Sequence, residues 1–185
     1  VTHNQPRRFR TTRLVSLAAW IGVSSAVLAS AEDQAVHTFD RQRLTDEYHS
    51  EGLGVGDLNR DGHLDIVYGP YWFAGPDFQL KREIYTPRPQ NRERYADHFF
   101  AWVWDFNGDG WNDVLTAGFP GTPAFVYENP GAGGHPRPWP KHEVLNAVCN
   151  ESPQFTNLVG DDRPELVCSR DGFYGYAVFE PERPF

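Results

Sequence analysis

The chain has 185 residues, 39% of them hydrophobic and 15% aromatic, with 17 Gly and 15 Pro. Such a composition belongs to a folded, turn-rich domain of moderate size and not to a disordered chain or a long-helix protein. A formal net charge of −8 argues against holding nucleic acid through its phosphates by charge and suits a protein that holds cations.

Residues 1–31 read as a secretory signal peptide. Arg7, Arg8, Arg10 and Arg13 form a basic region, Leu14 to Leu28 an apolar run with small residues mixed in, and Ala29-Ser30-Ala31 a small-x-small cleavage site before Glu32. That is the layout of an export signal. A membrane anchor is the rival reading, but the run falls short of the roughly 20 residues a span needs. Arg7-Arg8-Phe9 resembles a twin-arginine signal in flanks that fit it poorly, and residues 1–31 hold no Cys for a lipid anchor. Cleavage leaves residues 32–185, with 13 basic against 25 acidic side chains, and no stable membrane span. The expected destination is the periplasm, the cell surface or the medium. The chain starts at Val1 and contains no Met, as a non-standard start codon or an incomplete chain would give.

Further along, the chain repeats itself. DLNRDGHLD (residues 57–65) and DFNGDGWND (residues 105–113) agree at five positions and lie 48 residues apart. Gly54 to Gly56 precedes the first and Ile66 to Tyr68 follows it; Ala101 to Trp104 and Val114 to Thr116 flank the second. Short β-branched and aromatic runs on both sides predict strand, loop, strand. Tyr71 to Pro76 then matches Phe125 to Pro130, and FQLKREI (residues 78–84) matches WPKHEV (residues 139–144). FDRQRL (residues 39–44) has the same outline ahead of the first unit. A third, eroded copy runs from Asn157 to Glu165, with Leu166 to Cys168 as its strand and Phe179-Glu180-Pro181 matched to Tyr127–Pro130. Units of about four short strands at a period near 50 residues predict β-propeller blades, at roughly residues 37–84, 95–145 and 150–185. The aromatic residues supply the packing between blades, with a sugar-stacking platform as the other reading. Closed rings take about 4–8 blades, so three incomplete ones predict a fragment of a larger propeller, with an assembly of several chains or an open stack as the alternatives.

The acidic loops carry the clearest chemistry. Hard cations such as Ca²⁺ take six to eight oxygen ligands in flexible geometry. In the first loop Asp57, Asn59, Asp61, the main-chain carbonyl of His63, and Asp65 form such a set. In the second the set is Asp105, Asn107, Asp109, the carbonyl of Trp111, and Asp113. Gly62 and Gly110 permit the turn that folds each loop back. An EF-hand opens in the same way but needs Glu at position 12 and flanking helices; Tyr68 and Thr116 stand there. Mg²⁺ is disfavoured by its strict octahedral demand. The alternative is a solvated acidic turn without an ion, although three like charges so close repel one another. The third loop keeps only Asn157, Asp161 and Glu165 in the ligand frame and is expected to retain the turn without the ion.

D-x-N-x-D-G-x-x-D between strands, a following Y-x-N-P and an aromatic-basic strand together resemble FG-GAP/VCBS repeats, the blade repeats of integrin-α-like β-propellers. DFNGDGWNDVL, YENPG and NESPQF look like segments of exported FG-GAP/VCBS proteins of environmental bacteria. The resemblance covers roughly residues 37–185 and implies calcium in the acidic loops, bracing each blade.

Function beyond the ion sites is less directly written. Glu51, Phe99 and Glu151 each stand six positions before a loop, with Asp97, His98 and Asn150 nearby. Glu51, His98 and Glu151 are therefore candidate acid–base residues at one mouth of the propeller. Polar strand ends that bond loop backbones are the plainer reading. No nucleophile elbow, zinc-protease helix or phosphate loop is present, and the seven His show no metal-ligand spacing. The sequence reads best as an exported, calcium-stabilised scaffold for an extracellular protein or glycan. A propeller-type polysaccharide lyase or hydrolase is the alternative. Cys149 and Cys168 pair in an oxidising compartment or stand as two small buried residues.

Overall fold

The computed structural model describes residues 38–133 and 138–180; the segment read as a signal peptide lies outside them. Each short aromatic or β-branched run forms a strand. The first sheet contains β1 (Gly54–Gly56), β2 (Asp65–Tyr68), β3 (Tyr71–Phe73) and β4 (Lys81–Glu83), antiparallel and in chain order. The second contains β5 (His98–Trp104), β6 (Asp113–Gly118), β7 (Thr122–Tyr127) and β8 (Lys141–Val148), again in chain order. The third contains β9 (Gln154–Thr156), β10 (Glu165–Arg170) and β11 (Phe173–Ala177). The protein is thus all-β, with three antiparallel sheets and none closed on itself. A single 3₁₀ turn at Gly131–Gly133 is the only helical element among the described residues, and none of these could cross a membrane as a helix.

The sheets repeat in register as well as in order. Asp65 stands opposite Gly56, Asp113 opposite Trp104 and Glu165 opposite Thr156. One residue on, Ile66 pairs with Phe73, Val114 with Tyr127 and Leu166 with Ala177. Ala177 therefore takes the place of Tyr127 in the third sheet, and Phe179 that of Asn129. The sequence match of Phe179-Glu180-Pro181 to Tyr127–Pro130 is displaced by this register. The three hairpins differ in length, so matching letters mislead where strand pairing does not.

The middle sheet is buried on both faces, as the wholly buried β6 records. Period-two alternation divides its residues between two cores. Val114, Tyr127, Ala101 and Trp139 pack with Leu58, Val67, Trp72 and Ile84 from the first repeat. Leu115, Ala117, Ala124, Val126 and Val148 pack with Leu166 and Cys168 from the third. A main-chain bond also joins each pair of sheets: Trp139 N–H donates to Ile84 O at 2.8 Å, and Cys149 N–H to Ser169 O at 2.8 Å. Cys149 and Cys168 are both free thiols, the first exposed and the second buried.

The closest approach between sheets runs through alternate glycines. A Cβ on Gly52 would lie 2.4 Å from Phe99 O, one on Gly54 2.8 Å from Ala101 O, and one on Gly56 2.4 Å from a Val103 methyl. Their missing side chains let β1 lie against β5. Gly54→Ala should therefore lower stability by about 1–3 kcal/mol through forced backbone separation, while Val55→Ala, at an exposed position, should stay within about 0.5 kcal/mol. Urea denaturation of the two variants checks the contrast.

Candidate metal centre

Each acidic loop spans the first and second strands of its sheet, and all three share one conformation. Position 4 has positive φ at Arg60 (61°), Gly108 (76°) and Gly160 (84°), and position 6 at Gly62 (85°), Gly110 (87°) and Asp162 (70°). The third loop thus keeps the turn, even with Asp162 in a backbone region that favours glycine.

The side chains that shape the turn are those assigned to the ion. Asp57 Oδ1 accepts the N–H of Arg60 at 2.7 Å, and its Oδ2 accepts that of Gly62 at 2.9 Å. Asp105 accepts from Gly108 and Gly110, both at 2.8 Å. Asn59 Oδ1 takes the Asp61 N–H and Asn107 Oδ1 the Asp109 N–H, each at 3.0 Å. Asp61 and Asp109 accept from His63 and Trp111, each at 2.8 Å. The His63 N–H and the Asn59 amide hold the Asp61 carboxyl below its ordinary range. In the third loop Asn157 accepts from Gly160 at 2.6 Å and Asp161 from Arg163 at 3.1 Å.

Position 9 behaves differently. Asp65, Asp113 and Glu165 are wholly buried. One carboxylate oxygen of each takes the N–H of loop position 2: Leu58 at 2.8 Å, Phe106 at 3.1 Å and Leu158 at 2.7 Å. In the first two sheets the other oxygen takes an N–H from the turn after the third strand, Gly75 at 3.0 Å and Asn129 at 2.7 Å. Phe179 is the register equivalent in the third sheet, but Glu165 Oε1 has no partner and is the one buried, unbonded side-chain oxygen or nitrogen among the described residues. Burial pushes Asp113 up to about 7, against the pull of the Asn129 and Phe106 amides, with Asp109 and Asp105 adding repulsion. Asp65 moves the same way for the same reasons.

Among the described residues no three His, Cys, Asp or Glu side chains are gathered to hold an ion by themselves. The proposed sets draw in addition on an amide oxygen and a main-chain carbonyl. A carboxylate offers about four acceptor sites, and the hydrogen bonds above leave at least one unused on every Asp of the first two loops. The donor chemistry fits a hard cation such as Ca²⁺.

Two asparagines, not singled out by the repeat, tie the first two loops together. Asn112 Nδ2 donates to Asp57 O at 2.7 Å. Asn129 Nδ2 donates to Leu58 O at 2.9 Å and to Asn112 O at 2.8 Å, and its Oδ1 accepts the Gly131 N–H at 3.0 Å. The Arg60 guanidinium lies over the Trp111 ring, 5.3 Å from its centroid. The sequence signal for Asn129 was its place in the Y-x-N-P match; its burial in an interface has no local signature.

The candidate acid–base residues sit at the other end of the strands. Glu51 N–H donates to His98 O at 3.0 Å, so their backbones adjoin. The Glu51 carboxylate accepts from the Tyr48 hydroxyl and from the Ala96 N–H. The His98 ring packs against Tyr85 and Tyr127, and burial, reinforced by Lys141, lowers its pKa to about 4. Glu151 is exposed, and its side chain makes no hydrogen bond or ion pair.

Comparison with protein-family models, curated proteins and solved structures finds no match to this chain.

Asn129→Ala removes three side-chain hydrogen bonds and leaves two buried carbonyls facing a void. At about 1 kcal/mol per bond, it should cost roughly 2–4 kcal/mol in chemical denaturation. His98 binds protons more weakly folded than unfolded, so its contribution is intact at neutral pH and is lost as pH falls from about 6.5 toward 4. Denaturation midpoints across that window should drop, and His98→Gln should flatten part of the slope.

Proposed function

We propose that the chain is an exported repeat protein of FG-GAP/VCBS type, that its three sheets are β-propeller blades, and that it serves as a binding scaffold for an extracellular protein or glycan. Ca²⁺ in the first two loops would brace the blades, held by Asp57, Asn59, Asp61, the His63 carbonyl and Asp65, and by Asp105, Asn107, Asp109, the Trp111 carbonyl and Asp113. The ion's contribution there is to neutralise crowded carboxylates. The observation that carries the reading is the position-by-position identity of the two hydrogen-bond sets, which aligns the same oxygen donors twice on equivalent strands. Three carboxylates within nine residues repel one another unless a cation neutralises them, and both loops crowd them in the same frame.

The third loop supports a turn without an ion, since Val159 replaces the amide ligand at position 3 and Asn157 replaces the carboxylate at position 1. The enzyme reading draws less support. Glu51 is engaged by two hydrogen bonds and the His98 ring is enclosed by aromatic neighbours.

An ion bound at 100 times its Kd contributes about 2.7 kcal/mol per site. Two filled sites imply that chelation with EGTA lowers Tm by about 10 °C or more, and that millimolar Ca²⁺ restores it. The double variant Asp57→Asn/Asp105→Asn should melt near the chelated temperature and ignore added calcium. A melting curve unmoved by EGTA would dispose of the calcium reading.

A further inference from the structure

A cavity of about 550 Å³ opens between the outer strands of the first sheet and the loop that follows β7, within the roughly 300–1,000 Å³ of small-molecule sites. Its walls include Trp72 and Arg82 from β3 and β4, Leu80 just before β4, Trp111 at the tip of the second acidic loop, and Trp139. Register explains the gathering. Trp72 is paired with Arg82, so the two side chains share a sheet face, and Leu80, two residues before Arg82, lies on it too. That face looks toward the second sheet, but the outer strand β4 is exposed along its length, and the wedge left there is the cavity.

Half of the chain's six tryptophans line this one space. Trp72 and Trp139 are 9% and 7% exposed, yet neither indole N–H has a hydrogen-bond partner, and neither nitrogen is sealed from solvent, since among the described residues the only sealed unbonded polar side-chain atom is Glu165 Oε1. The Trp111 N–H is likewise unbonded. An indole N–H is a donor only, and a buried one ordinarily finds a partner. Three unused donors set in apolar rings ask for a ligand with many acceptor oxygens and apolar faces, which is the chemistry of a sugar ring. Arg82 adds an unpaired guanidinium, whose planar fork matches a carboxylate. Glu83 also borders the cavity, but its register partner is Tyr71, which puts its side chain on the opposite face of the sheet from Trp72 and Arg82.

We propose that this cavity binds a short acidic oligosaccharide, with the tryptophans against the sugar faces and Arg82 on a uronate carboxylate. The assignment rests on the scaffold reading and names its ligand class. It places the site between two sheets at the acidic-loop end, away from Glu51, His98 and Glu151.

The test is calorimetric titration of the full chain, in calcium, with a galacturonate trisaccharide and with its neutral galactose counterpart, alongside Arg82→Gln and Leu80→Glu. Both substitutions lie at exposed positions outside the core and the acidic loops. The acidic sugar should bind at least tenfold more tightly than the neutral one and change tryptophan emission. R82Q should remove most of that preference, and L80E should weaken the acidic sugar tenfold or more. Equal affinity for the two sugars, or an R82Q variant that binds as the parent does, overturns the assignment. If neither sugar binds while EGTA still lowers Tm, the cavity assignment alone falls. If the sugar binds while EGTA leaves Tm unmoved, the calcium reading alone falls.

Discussion

A buried carboxylate at the start of the second strand organises every repeat. Asp65 and Asp113 are wholly enclosed and spend their oxygens on two main-chain N–H groups each, one from the acidic loop and one from the turn beyond the third strand. Charge buried in this way is costly unless hydrogen-bonded, and the raised pKa of both groups records that cost. In return, one side chain sets the loop's exit, the strand's register and the distance to the outer hairpin. Glu165 holds the same place with one more methylene and satisfies only its loop-side oxygen, so the third repeat keeps the loop but lacks the tie to its outer turn.

The two sheet interfaces solve one geometric problem with different chemistry. Asn129 reaches the backbone of Leu58 at position 2 of the preceding loop. Its register equivalent, Phe179, lays its ring against Phe106, which is likewise position 2 of the preceding loop, at 4.8 Å between centroids. A polar latch joins the first pair of sheets and an aromatic contact the second. The polar latch couples the first two loops directly, because Asn112 bonds to Asp57 O and Asn129 bonds both to Asn112 O and to Asp113.

The two ends of the strands have separate characters. At one end lie the acidic loops, the asparagine latch and the tryptophan-walled cavity. At the other, Tyr95, Phe99 and Phe119 gather at 5.4–5.7 Å between centroids beside Glu51 and His98. The first end combines the hydrogen-bonded polar geometry of the loops with unbonded indole donors beside the cavity.

Short β-branched and aromatic runs, turn residues and the recurring nonapeptide were enough to read off the strands, their grouping into three sheets and the turn of all three loops, because these depend on neighbours within a few residues. The loop hydrogen bonds between Asp57 and His63 or Asp105 and Trp111 are of that local kind. What the tertiary structure decided lies between repeats. Nothing local in Gly52, Gly54 and Gly56 marks the close approach of β5 that their missing side chains allow. Nor does the Y-x-N-P match foretell that Asn129 bonds Leu58 O and Asn112 O, the former 71 positions away. Phe179 was matched to the wrong position because hairpin length, not residue type, sets the register. Trp72, Trp111 and Trp139 come together only when two sheets meet, and no periodicity within one strand encodes the space left between them.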